Sequence, residues 1–188
     1  MAISNFKKKI AVFLSGEGSN LKNLYKFSKT KRSKFTIHLV ISNKKNAKGI
    51  LFSKSKKIKS YSIGKKMSVF EKNSLLLIRE ENIDVICLAG FMRILSKEFV
   101  QKCKIPIINI HPSLLPKYKG LHTHARAIKN KDQFSGCTAH HVTSKLDAGK
   151  IILQKKVKIL KKDNEITLSK KILKVEHQIY PIALNKIC

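Results

Sequence analysis

Apolar positions in this chain come in short runs, with amphipathic stretches between them. Ile10–Leu14 reads as a first strand, followed by a helix from Ser19 to about Ser28 and a strand at Thr36–Ile41. A basic helical stretch from Ala47 to Ile58, a short strand at Ser60–Ile63 and a helix from about Ser68 to Glu81 come next. Residues 84–90 form a continuous apolar run of the kind buried on both faces of a parallel sheet. Ile105–Ile110 repeats that signature after a short helix around Lys97–Lys102. Past Gly136 the rhythm changes to two closely spaced strands, Cys137–Val142 and Ile151–Ile159, and Glu165–Ala183 reads as a closing helix. This alternation predicts an α/β fold: a Rossmann-like, mostly parallel sheet with helices on both faces and the final strands partly antiparallel. No repeat, low-complexity block or long linker interrupts it. The 188 residues are therefore expected to form one domain, burying roughly 70% of the unfolded surface.

Composition changes this picture in few respects. With 43% hydrophobic residues in regular runs, disorder is excluded despite a formal net charge of +29. No apolar stretch approaches the ~18 residues a membrane span needs, so no membrane association is expected. Ile10–Leu14 is too short for an export signal, which predicts a cytoplasmic protein. Cys87, Cys103, Cys137 and Cys188 are scattered without a CxxC pair, so neither a disulfide framework nor a zinc site is expected. The 40 basic residues include only four arginines (Arg32, Arg79, Arg93 and Arg126), whereas nucleic-acid readers lean on Arg for bidentate contacts. The lysines are spread over nearly every helix and loop, as a drift of composition towards Lys and Ile produces. Nucleic-acid binding is therefore expected to be weak and non-specific. A basic nucleic-acid-binding protein on a degenerate scaffold is the alternative. Under either reading the field attracts phosphorylated, anionic small molecules.

Four segments could carry chemistry. Leu14-Ser-Gly-Glu-Gly-Ser-Asn20 runs from a strand through a Gly-rich turn into a helix, whose free N–H groups and dipole suit an anion. Leu21 stands where a dinucleotide fingerprint has its last glycine, so the loop alone also fits a plain β–α turn capped by Ser19 or Asn20. Glu17 puts a carboxylate inside this loop, with Lys22 near enough in sequence to offset it. In Ile108-Asn-Ile-His-Pro-Ser-Leu-Leu-Pro116, Asn109 and His111 leave the same face of a strand, at the end where α/β sheets bind ligands. An amide donor beside an imidazole can hold a developing oxyanion and handle a proton. His122, His124, His140 and His141 invite a metal, but no carboxylate or thiolate is spaced to complete a ligand set. His140 and His141 also point to opposite faces of their strand. Finally, Thr143-Ser-Lys-Leu-Asp-Ala-Gly149 carries Asp147, one of four aspartates. It is either a turn residue or a carboxylate that favours a protonated imidazole nearby.

Together these segments resemble the glycinamide ribonucleotide formyltransferases, folate-dependent transferases of purine synthesis. The matching stretches are Ser15–Asn20, Leu88-Ala-Gly-Phe-Met-Arg-Ile-Leu95, the long run from Asn109 to His124, Leu146-Asp-Ala-Gly149 leading to Ile152-Leu-Gln154, and Glu176-His-Gln-Ile-Tyr-Pro181. They run in family order along almost the whole chain. The resemblance implies a single formyltransferase domain over residues 1–188 that moves a formyl group from 10-formyltetrahydrofolate, its co-substrate, to the amine of glycinamide ribonucleotide, with no metal. It implies Asn109, His111 and Asp147 as catalytic residues. Asn109 would donate to the oxyanion, His111 would stabilise the intermediate and take part in proton transfer, and Asp147 would keep His111 protonated and orient water. Gly18, Ser19 and Asn20 would cradle the nucleotide phosphate, and Glu176 would receive the ammonium or ribose hydroxyls. Met92, Arg93, Ile94, Leu95, Asn109, Ser144, Lys145, Leu146 and Asp147 would line the folate pocket. Monomer and homodimer are both compatible with it.

The sequence departs from the family at several places. Leu173 replaces a usual Gln, and Met67, beside Lys65 and Lys66, stands in place of an Arg that meets the folate tail. His141 replaces an apolar or aromatic residue, and the sequence ends soon after Pro181. These departures bear on affinity and stability and leave the three catalytic positions untouched. Methionyl-tRNA formyltransferases and formyltetrahydrofolate hydrolases share the Asn, His and Asp but not typically Gly-Leu-His-Thr-His or Gly-Glu-Gly-Ser-Asn.

Overall fold

The computed structural model describes residues 7–64 and 66–188, which leaves Lys65 outside the described residues. In chain order the elements are β1 (Lys8–Leu14), α1 (Ser19–Ser28), β2 (Phe35–Ser42), α2 (Lys48–Ser55), β3 (Lys59–Ser62), α3 (Met67–Glu80) and β4 (Val85–Leu88). There follow α4 (Lys97–Cys103), β5 (Ile107–His111), α5 (Thr123–Lys129), β6 (Phe134–His141), β7 (Ile151–Lys158) and α6 (Glu165–Ile187). The strands form one sheet in the order β3-β2-β1-β4-β5-β6-β7. β1 to β5 run parallel, while β6 lies antiparallel to β5 and β7 antiparallel to β6.

Ile10–Leu14 is wholly buried because the sheet is packed on both faces. Val12 and Leu14 face a core built with Leu21 and Leu24 of α1 and with Ile172, Ile179 and Tyr180 of α6. Ala11 and Phe13 face the opposite core, built with Phe70 and Ile78 of α3 and Phe99 of α4. Met67, where the resemblance led to the expectation of an arginine, packs half-buried against this second core.

Two elements differ from the sequence expectation. The short helix α5 lies within the histidine-rich stretch; it has no acidic residue in its first turn, and His122 at its N-cap is left-handed (φ 57°) without a side-chain cap. Helix α6 continues through Pro181 to Ile187 rather than stopping at Ala183. Proline removes the N–H that would bond the carbonyl four residues back, and Asn23 Nδ2 donates to that carbonyl, His177 O, instead. Among the described residues no helix is long and apolar enough to cross a membrane.

Because β1, β4 and β5 are parallel, the loops that follow them leave the sheet at one edge. On β5, Asn109 and His111 alternate with Ile108 and Ile110, which belong to the α1–α6 core, and so lie on the other face. Loops 112–122 and 142–150 cover that face near β5 and β6.

Candidate active site

The antiparallel pairing of β5 with β6 sets Asn109 directly opposite His140, and His111 opposite Thr138. Residues so paired project to the same face. His140 Nδ1 lies 2.9 Å from its neighbour's carbonyl, His141 O, which requires the proton on Nδ1. Burial holds the His140 pKa below its ordinary value, outweighing the His141 carbonyl and the Asp147 carboxylate, and so keeps the ring neutral. Its Nε2 is then an acceptor, 3.3 Å from Asn109 Nδ2. One amide proton of Asn109 is thus committed and the other is left to aim outwards.

His111 is 6% exposed, with Nε2 donating to Tyr118 O at 2.9 Å. Its Nδ1 faces Asp147 Oδ2 at 3.4 Å, an ion-pair distance longer than a good hydrogen bond. Both ring nitrogens thus face oxygen acceptors, an arrangement that suits the imidazolium. Asp147 reaches the cluster because the β6–β7 loop folds back. The residue is left-handed (φ 45°), and Gly120 N donates to its Oδ2 at 2.9 Å. Its other oxygen, Oδ1, lies 3.6 Å from His140 Nε2. The three residues of the expected catalytic set therefore come together, with His140 as a fourth member.

The loop that carries Tyr118 is held from below. Thr138 Oγ1 donates to Ser113 O (2.6 Å) and accepts from Leu115 N (3.1 Å), while Gln154 Nε2 reaches both Leu115 O (3.0 Å) and Thr138 Oγ1 (2.8 Å). Tyr118 OH in turn donates to Asp132 Oδ2 at 2.8 Å.

At the start of α1 the N-cap is Gly18 (φ 71°), with no side-chain cap and no acidic residue in the first turn. Neither Ser19 nor Asn20 caps the helix, so their main-chain N–H groups remain available to an anion. Glycine is required here: a Cβ on Gly18 would stand 2.8 Å from Gly49 Cα, and Gly49 N donates to Gly16 O at 3.1 Å. Glu17 is exposed and pairs with Lys48 (3.0 Å), while Lys22 lies over the Phe52 ring. Asn20 Nδ2 donates to Glu176 Oε2 at 2.8 Å, joining α1 to α6. Burial pushes the Glu176 carboxyl up to about 7, opposed by the Asn20 hydrogen bond. Leu173, one turn earlier on α6, is half-buried.

Met92, Ile94 and Leu146 are exposed, at 65%, 72% and 49%, and Leu121 adds another exposed apolar side chain at 72%. Arg93, Ser144 and Lys145 are exposed with them, whereas Leu95 packs into the α3–α4 core. Ser15, at the start of the Gly-rich loop before α1, ties in the 89–95 segment: its Oγ accepts from Met92 N (2.8 Å) and donates to Asn43 Oδ1 (2.7 Å). His122 is exposed. His124 is half-buried, its pKa lowered chiefly by desolvation, and its Nδ1 is buried without a partner among the described residues. Sequence reasoning named His140 only as a possible metal ligand and missed Tyr118 O, Gly120 N and Thr138 altogether. Main-chain groups leave no mark in a sequence, but the β5–β6 register would have paired His140 with Asn109.

The family described as Formyl transferase matches residues 8–184. Phosphoribosylglycinamide formyltransferase of Escherichia coli is 41% identical over 180 residues, covering 94% of this chain and 85% of that protein. The human trifunctional purine biosynthetic protein adenosine-3 is 40% identical over 185 residues, or 96% of this chain, which spans only 18% of that much longer protein. Among solved structures, phosphoribosylglycinamide formyltransferase from Anaplasma phagocytophilum superposes with a TM-score of 0.91 at 41% identity, covering 95% of this chain and 85% of the other.

Proposed function

The chain belongs to the formyl transferase family, and from that premise we propose that it formylates the amine of glycinamide ribonucleotide, a step of purine (IMP) biosynthesis, with 10-formyltetrahydrofolate as donor. The observation that carries this reading is the buried cluster of Asn109, His111, His140 and Asp147 at the sheet edge that also presents the uncapped start of α1. The amine lone pair attacks the formyl carbon, and the carbonyl π electrons move to oxygen. The free N–H of Asn109 donates to that oxyanion, and the His111 imidazolium balances its charge. The new ammonium loses a proton towards Asp147, directly or through water. A proton passes to the folate N10, the C–N10 bond breaks, and tetrahydrofolate departs. The exposed Met92, Ile94 and Leu146 offer apolar surface for the pterin and benzoyl rings, and Arg93, Ser144 and Lys145 add polar contacts. Gly18, Ser19 and Asn20 receive the phosphate, and Glu176 the ribose hydroxyls or ammonium.

The test is formyl transfer assayed by mass spectrometry with glycinamide ribonucleotide, initiator tRNA and water as competing acceptors. Formylated nucleotide as the main product is the expected result. A folded sample that formylates only tRNA, or only releases formate, overturns the proposal.

A further inference from the structure

Besides their apolar packing and the Asn23–His177 bond, helices α1 and α6 are joined by a hydrogen bond between two buried polar side chains, Asn20 (6% exposed) and Glu176 (8% exposed). Asn20 holds two different positions at once. Its main-chain N–H belongs to the uncapped first turn of α1, while its side-chain Nδ2 reaches Glu176 Oε2 on α6. The amide oxygen, Asn20 Oδ1, is buried with no partner among the described residues. An orphaned acceptor of this kind carries a desolvation cost. Here the cost accompanies a fixed orientation, with Nδ2 turned to the carboxylate.

Among the described residues no cation acts directly on Glu176; Lys155 bears on the neighbouring Cys137 thiol instead. From β6 Glu176 is faced by the Cys137 thiol and from its own helix by the Tyr180 phenol, both neutral and both held above their ordinary pKa values chiefly by burial. The Tyr180 hydroxyl is already donated to the carbonyls of Leu88 and Ile108. Among the described residues the second carboxylate oxygen, Oε1, accepts no hydrogen bond. Asn20 is thus, among the described residues, the one neighbour that favours the charged form.

We propose that Asn20 is a positioning residue joining two parts of the nucleotide site: its main chain helps receive the phosphate, and its side chain holds Glu176 as an oriented, ionised acceptor for the ribosyl-glycinamide end. This rests on the substrate reading given above and extends it by assigning the Asn20 side chain a separate task. Oε1 is not sealed from solvent, and it is the oxygen to which bound nucleotide supplies donors. Leu173, one turn before Glu176 on α6, has an apolar side chain and offers no second donor, so among the described residues Asn20 is the sole support of this kind.

The experiment compares the wild type with Asn20→Ala, Asn20→Ser and Glu176→Gln, using calorimetric binding of glycinamide ribonucleotide and of inorganic phosphate, then steady-state kinetics from pH 5.5 to 9. Asn20→Ala should weaken nucleotide binding about tenfold at pH 7, the scale of one hydrogen bond to a charged group. Phosphate binding should stay within about twofold, since the main-chain N–H is retained, and kcat and the folate KM should change little. The rise of nucleotide affinity with pH should move to higher pH, because burial of Glu176 is then unopposed. Glu176→Gln should lose that pH step, and adding Asn20→Ala to it should cost no more. Asn20→Ser, which keeps a donor, should recover part of the affinity and covers the case in which the alanine variant misfolds. Equal loss of phosphate and nucleotide affinity, an unmoved pH profile, or additive effects in the double variant would each overturn the proposal. Binding is read without turnover, so absence of formyl transfer would count against the substrate reading and not against this one.

Discussion

The Asn109 amide carries two N–H bonds, and His140 takes one of them; this leaves a single donor whose direction is set by a neutral imidazole. Removing that imidazole frees the amide to rotate. His140→Ala should therefore lower kcat about tenfold, while Asn109→Ala, His111→Ala and Asp147→Ala should each cost about 10²-fold or more. The double variant Asn109→Ala/His140→Ala should be no slower than Asn109→Ala alone, because His140 acts through Asn109. Multiplicative losses would show that His140 has an independent task. A second prediction concerns Glu176, whose carboxyl lies at about 7 in the fold against an ordinary 4.5. The native state then binds more protons than the unfolded chain between those values, so this group's contribution to stability falls as pH rises from about 4.5 to 7. The cost present above pH 7 is on the order of 3 kcal/mol for a group this buried. Glu176→Gln keeps an acceptor for Asn20 without the charge. Its melting temperature should exceed that of the wild type at pH 8, with the gap closing towards pH 4.5. An equal gap at both pH values would mean that the carboxyl titrates normally.

At the scale of elements, the site depends on a return of chain that only glycine permits. A Cβ on Gly149 would collide with His141 O, the oxygen that fixes the His140 tautomer, while His141 N donates to Lys150 O at 2.9 Å to close the same turn. Gly149→Ala should therefore cost about 1–3 kcal/mol in urea denaturation and slow turnover at the same time, since His140 and Asp147 sit at either end of the displaced loop. Full stability with normal kcat would show that the turn relaxes freely. This coupling explains what the sequence disclosed and what it withheld. Strands β1, β4 and β5 were legible because burial on both faces leaves an uninterrupted apolar run, and Asn109 and His111 followed from the two-residue strand period. Gly16 and Gly18 marked the turn before α1, Asp147 stood out as a turn residue or a carboxylate for an imidazole, and the family resemblance chose between those readings and added Glu176. Helix α5 stayed hidden because its residues Thr123–Lys129 carry neither cap nor acidic start. The passage of α6 through Pro181 was already in the sequence reading; what stayed illegible is the group that takes over the freed carbonyl, Asn23, which lies 154 residues away in the chain. His140 fell between these cases, visible as a histidine but with its partner fixed only by register.

For the whole molecule the dominant fact is charge: 40 Lys and Arg against 11 Asp and Glu. Most of the acidic residues are already engaged in ion pairs or hydrogen bonds, such as Asp84 with Lys8, Glu81 with Lys59 and Asp163 with Lys171. The surplus cations repel one another across the surface. Thr30-Lys-Arg-Ser-Lys34, the turn leading from α1 into β2, concentrates three of them at the edge away from the active site. Two unit charges about 7 Å apart in water repel by about 0.6 kcal/mol, and salt at 0.1 M screens over about 10 Å. Raising NaCl from 20 to 300 mM should therefore increase the melting temperature by several degrees, where an ion-pair-stabilised surface would be weakened. The double variant Lys31→Gln/Lys34→Gln should melt about 1–3 °C above the wild type at 20 mM NaCl and coincide with it at 300 mM. Its kcat should match the wild type, because both lysines precede β2 at the end of the sheet opposite the Gly-rich loop after β1. The same variant separates catalysis from a nucleic-acid role. If the basic surface serves RNA, its loss should reduce binding at a steep salt slope and with an affinity sufficient to compete with substrate; if the charge is compositional, RNA binding stays weak and turnover is untouched. A variant that folded well but lost turnover would give the basic surface a catalytic role.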